Sequence, residues 1–165
     1  MSGNKINRGI ASEFYVAAEL RRRNFVDSPT LGNTPNTDIL CSNVGGTKFV
    51  HIQVKTFVPG NKTVTLGQKA EINFGDNFIW VLSGIPHPRV NDFSDFVFFV
   101  IPSPDLSKNV SESHREWLKK PGKNGRPHKD TNMRNIGIPP QTAFNGWSIA
   151  GYKNRWDIVE NLLAD

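Results

Sequence analysis

Between Phe49 and Thr56 apolar and polar residues alternate, so Val50, Ile52 and Val54 mark one face of a strand and His51, Gln53 and Lys55 the other. Gln53 and Lys55 are two residues apart, which places their Cβ atoms about 6.6 Å apart on the same face. Both can reach one centre above the sheet. Upstream, Asp38-Ile39-Leu40-Cys41 reads as a second strand, and the glycines of Asn43-Val44-Gly45-Gly46-Thr47 read as the connection of a hairpin. That hairpin can bring Asp38 beside Gln53, assembling a carboxylate, an amide and an ammonium. Such a set suits hydrolysis of a phosphodiester. A hard divalent cation neutralises the nonbridging oxygens and lowers the pKa of the attacking water. Mg²⁺ takes one or two carboxylates, with waters and phosphate filling its six positions. Asp38, the Gln53 side-chain oxygen and the Val54 backbone carbonyl can supply the protein's share. Lys55 can hold the water or stabilise the developing charge.

A fourth polar residue breaks a helical pattern. Ile6, Ile10, Ala17 and Leu20 mark a stripe at three- and four-residue steps, and Glu13 occupies its middle. A glutamate there faces the sheet and needs a cation or a donor, because an unpaired buried charge is costly. The plainer alternative is a partly exposed glutamate near the helix start, helped by the helix dipole and by Ser12.

Glu13 on a first helix, Asp38 on a strand and Gln53-Val54-Lys55 on the next strand resemble the PD-(D/E)XK nucleases, the superfamily of restriction endonucleases, Holliday-junction resolvases and transposon endonucleases. The resemblance runs from Gly9-Ile10-Ala11-Ser12-Glu13 through Gln53-Val54-Lys55-Thr56. Two positions depart from the usual pattern. Gln53 stands where the family has the acidic residue of its E-x-K pair, and Thr37 stands where a proline often precedes the aspartate. The resemblance implies a metal-dependent endonuclease acting on nucleic acid, with DNA as the expected substrate. It implies Glu13, Asp38, Gln53 and Lys55 as catalytic residues, and Mg²⁺ (Mn²⁺ as substitute) held by Asp38, Gln53, the Val54 carbonyl and Glu13. A double-strand cut calls for two active sites, hence a homodimer. The rival readings are a catalytically silent module of the same fold that binds nucleic acid or a protein, and a structural component acting through a partner.

The elements that must position these residues can be read around them. A first helix runs from about Ile6 or Ile10 to Arg22, with Arg21-Arg22-Arg23 favourably placed at its C-terminal end. A short extended piece lies at Phe25-Val26. Leu66 to Ile72 is a candidate short helix. The apolar runs Phe78 to Leu82 and Phe96 to Ile101 suit strands buried on both faces. Ser111 to Lys120 reads as a helix with Ser111 as N-cap, and Arg155 to Leu163 as a closing helix that buries Trp156, Val159, Leu162 and Leu163. The class is α/β or α+β, a restriction-endonuclease-like core with a mixed central sheet flanked by helices.

At 165 residues, 37% hydrophobic and 21% charged, the chain fits one domain with a sizeable core. It reads as a single nuclease-like domain over residues 1–165, with a basic, loop-rich segment at about 115–146. Cys41 is the only cysteine, which excludes an intrachain disulfide, a CxxC site and a Cys-rich zinc module. It reads as a small buried hydrophobe. His51 reads as an edge histidine, and His87, His114 and His128 lack metal-ligand spacing. Trp117, Trp147 and Trp156 read as packing residues. No apolar run is long enough to span a membrane and no apolar core marks a secretory signal, so the expected compartment is a reducing cytoplasm.

The formal net charge is +5. Seven bases (Arg115, Lys119, Lys120, Lys123, Arg126, Lys129 and Arg134) and two acids (Glu116 and Asp130) lie between Arg115 and Arg134, so this window holds the whole excess. A basic segment on a neutral body favours a polyanion. Lys119, Lys120, Lys123, Arg126 and Lys129 are the candidate nucleic-acid contacts.

Overall fold

The first helix, α1 (Gly3–Arg21), packs on the sheet through Ser12, Val16, Ala17 and Leu20, all buried. It stops where Asn24 turns left-handed at φ 66°, a conformation asparagine tolerates better than most residues. Three arginines at this end are fixed in place. Arg21 pairs with the buried Asp27, Arg22 with Glu19 at 2.9 Å, and Arg23 with Glu19 while lying over the Trp156 ring. The chain, a computed structural model, is described over residues 3–30, 35–86 and 96–164, with the side chains of residues 3–5 and of Lys123 outside that description. His87 also falls outside it.

Five strands form the main sheet: β1 (Val26–Pro29), β2 (Ile39–Ser42), β3 (Phe49–Phe57), β5 (Phe78–Gly84) and β6 (Val97–Pro102). The order is β1-β2-β3-β5-β6, with β3 and β5 parallel and the other neighbours antiparallel. The β2–β3 connection is the expected hairpin. Asn43 accepts the Thr47 and Lys48 N–H groups at 2.9 and 3.1 Å, and Gly46 supplies the positive φ of 64°. Short strands β4 (Thr63–Thr65) and β7 (Asn135–Gly137) pair as a separate antiparallel ribbon.

Two apolar layers cover the sheet. On one face α1 and α3 (Asp157–Leu163) bury Val16, Leu20, Trp156 and Val159 against Val50, Ile52, Val54 and Val81. On the other, α2 (Ser103–Lys119) and the ribbon bury Leu106, Val110, Val64 and Ile136 against Phe78, Trp80 and Leu82. All of β5 is buried, as its unbroken apolar run requires. This mixed sheet between helical layers is the fold class expected from the sequence. Among the described residues, no helix is long and apolar enough to cross a membrane.

Several boundaries move. The second helix begins at Ser103, eight residues before the expected Ser111, because Pro104 occupies its first turn and the stripe Leu106, Val110 and Ser113 continues upstream. Ile6 and Ile10 do not join the buried stripe of α1. They are 63% and 46% exposed, and Ser12 and Val16 take their place against the sheet. Between Gln68 and Glu71 the chain makes only a 3-10 turn, and the last helix starts at Asp157 rather than Arg155.

Candidate active site

Asp38 sits immediately before β2, where the strand meets its neighbours. Its N–H donates to the Ile52 carbonyl at 2.9 Å, and its carbonyl accepts the Thr30 N–H at 2.8 Å. Thr30 Oγ1 also donates to the Thr37 carbonyl at 2.6 Å. These bonds hold the backbone on both sides of the carboxylate.

Beyond Asp38 the strands part. Because β2 begins at Ile39, Val54 has no β2 residue opposite it in the ladder. Its N–H donates instead to Asp38 Oδ2 at 2.6 Å. In a hydrogen-bonded strand the N–H and C=O of one residue share a side, so the Val54 carbonyl opens into the same fork. Gln53 Nε2 also donates to Asp38 Oδ2. Among the described residues no hydrogen bond reaches the second oxygen, Oδ1, or the Gln53 carbonyl oxygen.

Glu13 and Lys55 complete the group. The Glu13 carboxyl is pushed up from its ordinary range by burial and by the negative charge of Asp38, with Lys55 opposing. The Asp38 carboxyl is raised by burial, against the Val54 N–H, the Lys55 charge and the Gln53 amide. Both carboxylates thus feel the Lys55 charge, and among the described residues Lys55 makes a direct ion pair with neither. Gln53 and Lys55 are half-buried, with Trp80 and Leu82 of β5 opposite them in the ladder.

Oxygen-bearing groups stand together here: the Glu13 carboxylate feels the charge of Asp38, and the Gln53 amide and Val54 backbone lie against Asp38. This donor set fits Mg²⁺ or Mn²⁺, which prefer oxygen ligands and keep several waters. It is lean in charge. Among the described residues no group of three or more His, Cys, Asp or Glu is placed to hold a metal, because glutamine stands in the third position.

Two features of this region were not foreseen from the sequence. Thr37 Oγ1 bonds His51 Nδ1 at 3.2 Å, so the residue that replaces the usual proline ties the Asp38 turn to β3. His51 is thus anchored on its strand. Arg8, on α1, lines a recess beside the fork and has no ion-pair partner among the described residues. Neither signal is visible in sequence spacing, since each depends on a contact across elements.

The basic window divides. Lys119, Lys120, Arg126 and Lys129 are exposed, although Lys119 pairs with Glu116 at 2.7 Å and Lys120 lies over the Phe144 ring. The Lys123 side chain lies outside the described residues. Arg134 leaves the patch altogether. It is 3% exposed, doubly bonded to Glu71 at 2.7 and 3.1 Å, and bonded to backbone carbonyls of Thr131 and Met133. Trp117 is stacked between His114 and His128, and Trp156 is buried in the α1–α3 layer.

No protein-family model matches the sequence, and no curated protein matches it. Among solved structures the chain is similar to a bacterial homing endonuclease, I-Ssp6803I, with a TM-score of 0.55 and 14% identity over 95% of this chain and 91% of that one. It is also similar to Hjc, a Holliday junction resolvase of Archaeoglobus fulgidus, with a TM-score of 0.43 and 16% identity over 78% and 83% of the two chains. The sheet order and the first of these likenesses show that the chain shares the fold of that homing endonuclease, a mixed central sheet flanked by helices.

Proposed function

We propose that this protein is a divalent-metal-dependent endonuclease that hydrolyses phosphodiester bonds in DNA. The observation that carries the reading is the strand fork. There Asp38, pinned by the Val54 N–H and Gln53, faces Glu13 and Lys55 with one carboxylate oxygen uncommitted. Asp38, Glu13, the Gln53 side-chain oxygen and the Val54 backbone carbonyl would hold Mg²⁺ or Mn²⁺. A cation bound there supplies charge neutralisation at the phosphate and a more acidic water.

The residues do the rest. Asp38 and the Val54 backbone fix the ligand geometry, because one carboxylate oxygen is tied to the strand. Lys55 reaches the same space and orients a water, or stabilises charge on the phosphate oxygens as it develops. Glu13 comes from a different element, so it closes the site from the α1 side. Lys119, Lys120, Lys123, Arg126 and Lys129 are proposed to contact phosphates farther along the strand, without reading bases. Replacing Lys120, Arg126 and Lys129 with Ala is expected to flatten the salt dependence of DNA binding by about two to three units. The protein is proposed to act as a homodimer in the cytoplasm.

One observation favours a second reading. The Gln53 amide spends its N–H on Asp38 and brings no charge, which suits a silent module that binds DNA without cutting it. The test is incubation of linear, supercoiled and branched DNA with Mg²⁺ or Mn²⁺, with Lys55→Ala as control. Metal-dependent cleavage that disappears in Lys55→Ala supports the enzyme. Binding without cleavage in either cation supports the silent module.

A further inference from the structure

The half-buried Arg8 stands on α1 five residues before Glu13, on the side of the helix that meets the end of β3. With Thr56, Asn61, Thr63 and Thr65 it lines a recess of about 380 Å³, and no acidic residue lines it. Thr56 follows Lys55 directly on β3, so the recess begins one residue along that strand from the Gln53–Lys55 pair. Its far wall is the β4–β7 ribbon. Thr63 and Thr65 point outward there while Val64 is buried, and Thr65 Oγ1 donates to Asn135 Oδ1 at 2.6 Å.

The arginines at and just after the far end of α1 are committed: Arg21 to Asp27, and Arg22 and Arg23 to Glu19. Arg8 has no such partner among the described residues. A half-buried guanidinium without an anion, set among hydroxyl and amide groups, matches a phosphate: the guanidinium fork takes two oxygens and the hydroxyls take a third. Resting on the nuclease reading above, we infer that this recess binds the DNA phosphate adjoining the one that is cut. Arg8 is its main ligand and Thr56 and Thr63 are supporting donors. Arg8 is a positioning residue, since holding the neighbouring phosphate fixes where the strand enters the fork.

The experiment is a binding titration of duplex oligonucleotides in Ca²⁺ across a series of salt concentrations. It uses wild type, Arg8→Ala and Arg8→Lys, each first shown to be folded by circular dichroism. A scan of single neutral methylphosphonate linkages accompanies it. Arg8→Ala is expected to weaken binding about tenfold. It is also expected to lower the salt slope by about one unit, and Arg8→Lys to keep the wild-type slope. One methylphosphonate position beside the cleavage site should weaken wild type and Arg8→Lys, and have no effect on Arg8→Ala. A wild-type salt slope and an unchanged methylphosphonate profile in Arg8→Ala would overturn the assignment. The readout is binding, so it stands apart from cleavage: a protein that fails to cut in Mg²⁺ or Mn²⁺ refutes the enzyme reading and leaves this profile to be judged alone.

Discussion

Two places in this molecule take charged groups out of water, and they do so in opposite ways. Around Arg134 the balance is closed. The guanidinium is 3% exposed, Glu71 meets it with both oxygens, and its third nitrogen is met by the Thr131 and Met133 carbonyls and by Asp130. Around Asp38 the balance is left open. Burial raises both carboxyl pKa values and the Asp38 charge raises that of Glu13 further, Lys55 answers both carboxylates, and among the described residues one oxygen of Asp38 has no donor. A closed network stabilises a fold once it exists, because removing one partner strands the other. An open one is destabilising by itself and is retained where a ligand completes it. That contrast separates scaffold from site more sharply than charge or burial alone.

The largest effect should come from opening the fork further. Asp38→Ala removes the carboxylate held by β3, and Lys55→Ala removes the cation facing the phosphate. Each is expected to lower cleavage by about a thousandfold or more, with the chain still folded. Comparable loss from Arg134→Ala in folded protein would blur the distinction between the two regions.

Next is the closed network. Arg134→Ala leaves Glu71 without its cation and is expected to cost about 3 kcal/mol in urea unfolding. The double variant Arg134→Met with Glu71→Leu removes both charges and should recover most of that loss. If the double variant is as unstable as the single one, the pair is not what holds this region.

A smaller effect sharpens the role of Gln53. Gln53→Glu replaces an amide donor with a third carboxylate, so the metal-free protein should melt earlier. Its Mg²⁺ affinity, read by calorimetry, is expected to rise about tenfold because ligand charge governs affinity for hard cations. Unchanged affinity would place Gln53 outside the metal's ligands.

The smallest effect is in pH dependence. Glu13 has a raised pKa in the folded chain, so the fold binds more protons than the unfolded chain just above the ordinary carboxylate range. Its contribution is fully present below about pH 4 and declines as pH rises through the raised folded value. Metal-free Glu13→Gln should therefore melt above wild type at pH 7 and level with it at pH 3. Parallel profiles would mean that Glu13 is ordinary surface carboxylate.

Much of the fork was legible in the sequence because it depends on local rules. Alternation put Gln53 and Lys55 on one face, and Gly46 with Asn43 set the hairpin that carries Asp38 to them. The buried strand over Phe78 to Leu82 followed from its unbroken apolar run. What escaped depends on distant partners. Arg134 counted toward the basic window by its sequence position, but Glu71, far along the chain, takes it out of the exposed patch. Ile6 and Ile10 obeyed the helical spacing, yet no layer lies beneath them, so they are exposed. The start of α2 was hidden because the helix opens at Ser103 directly after β6 ends at Pro102, and the flanking Pro102 and Pro104 read as a turn.

The most direct measurement is Mn²⁺ binding to wild type and to Asp38→Ala, followed by electron paramagnetic resonance of the free ion at pH 7. Wild type is expected to take up Mn²⁺ at a site that Mg²⁺ displaces, and Asp38→Ala to bind at least about tenfold more weakly. Equal Mn²⁺ binding by the two proteins, or none by wild type, would contradict a metal site in the strand fork.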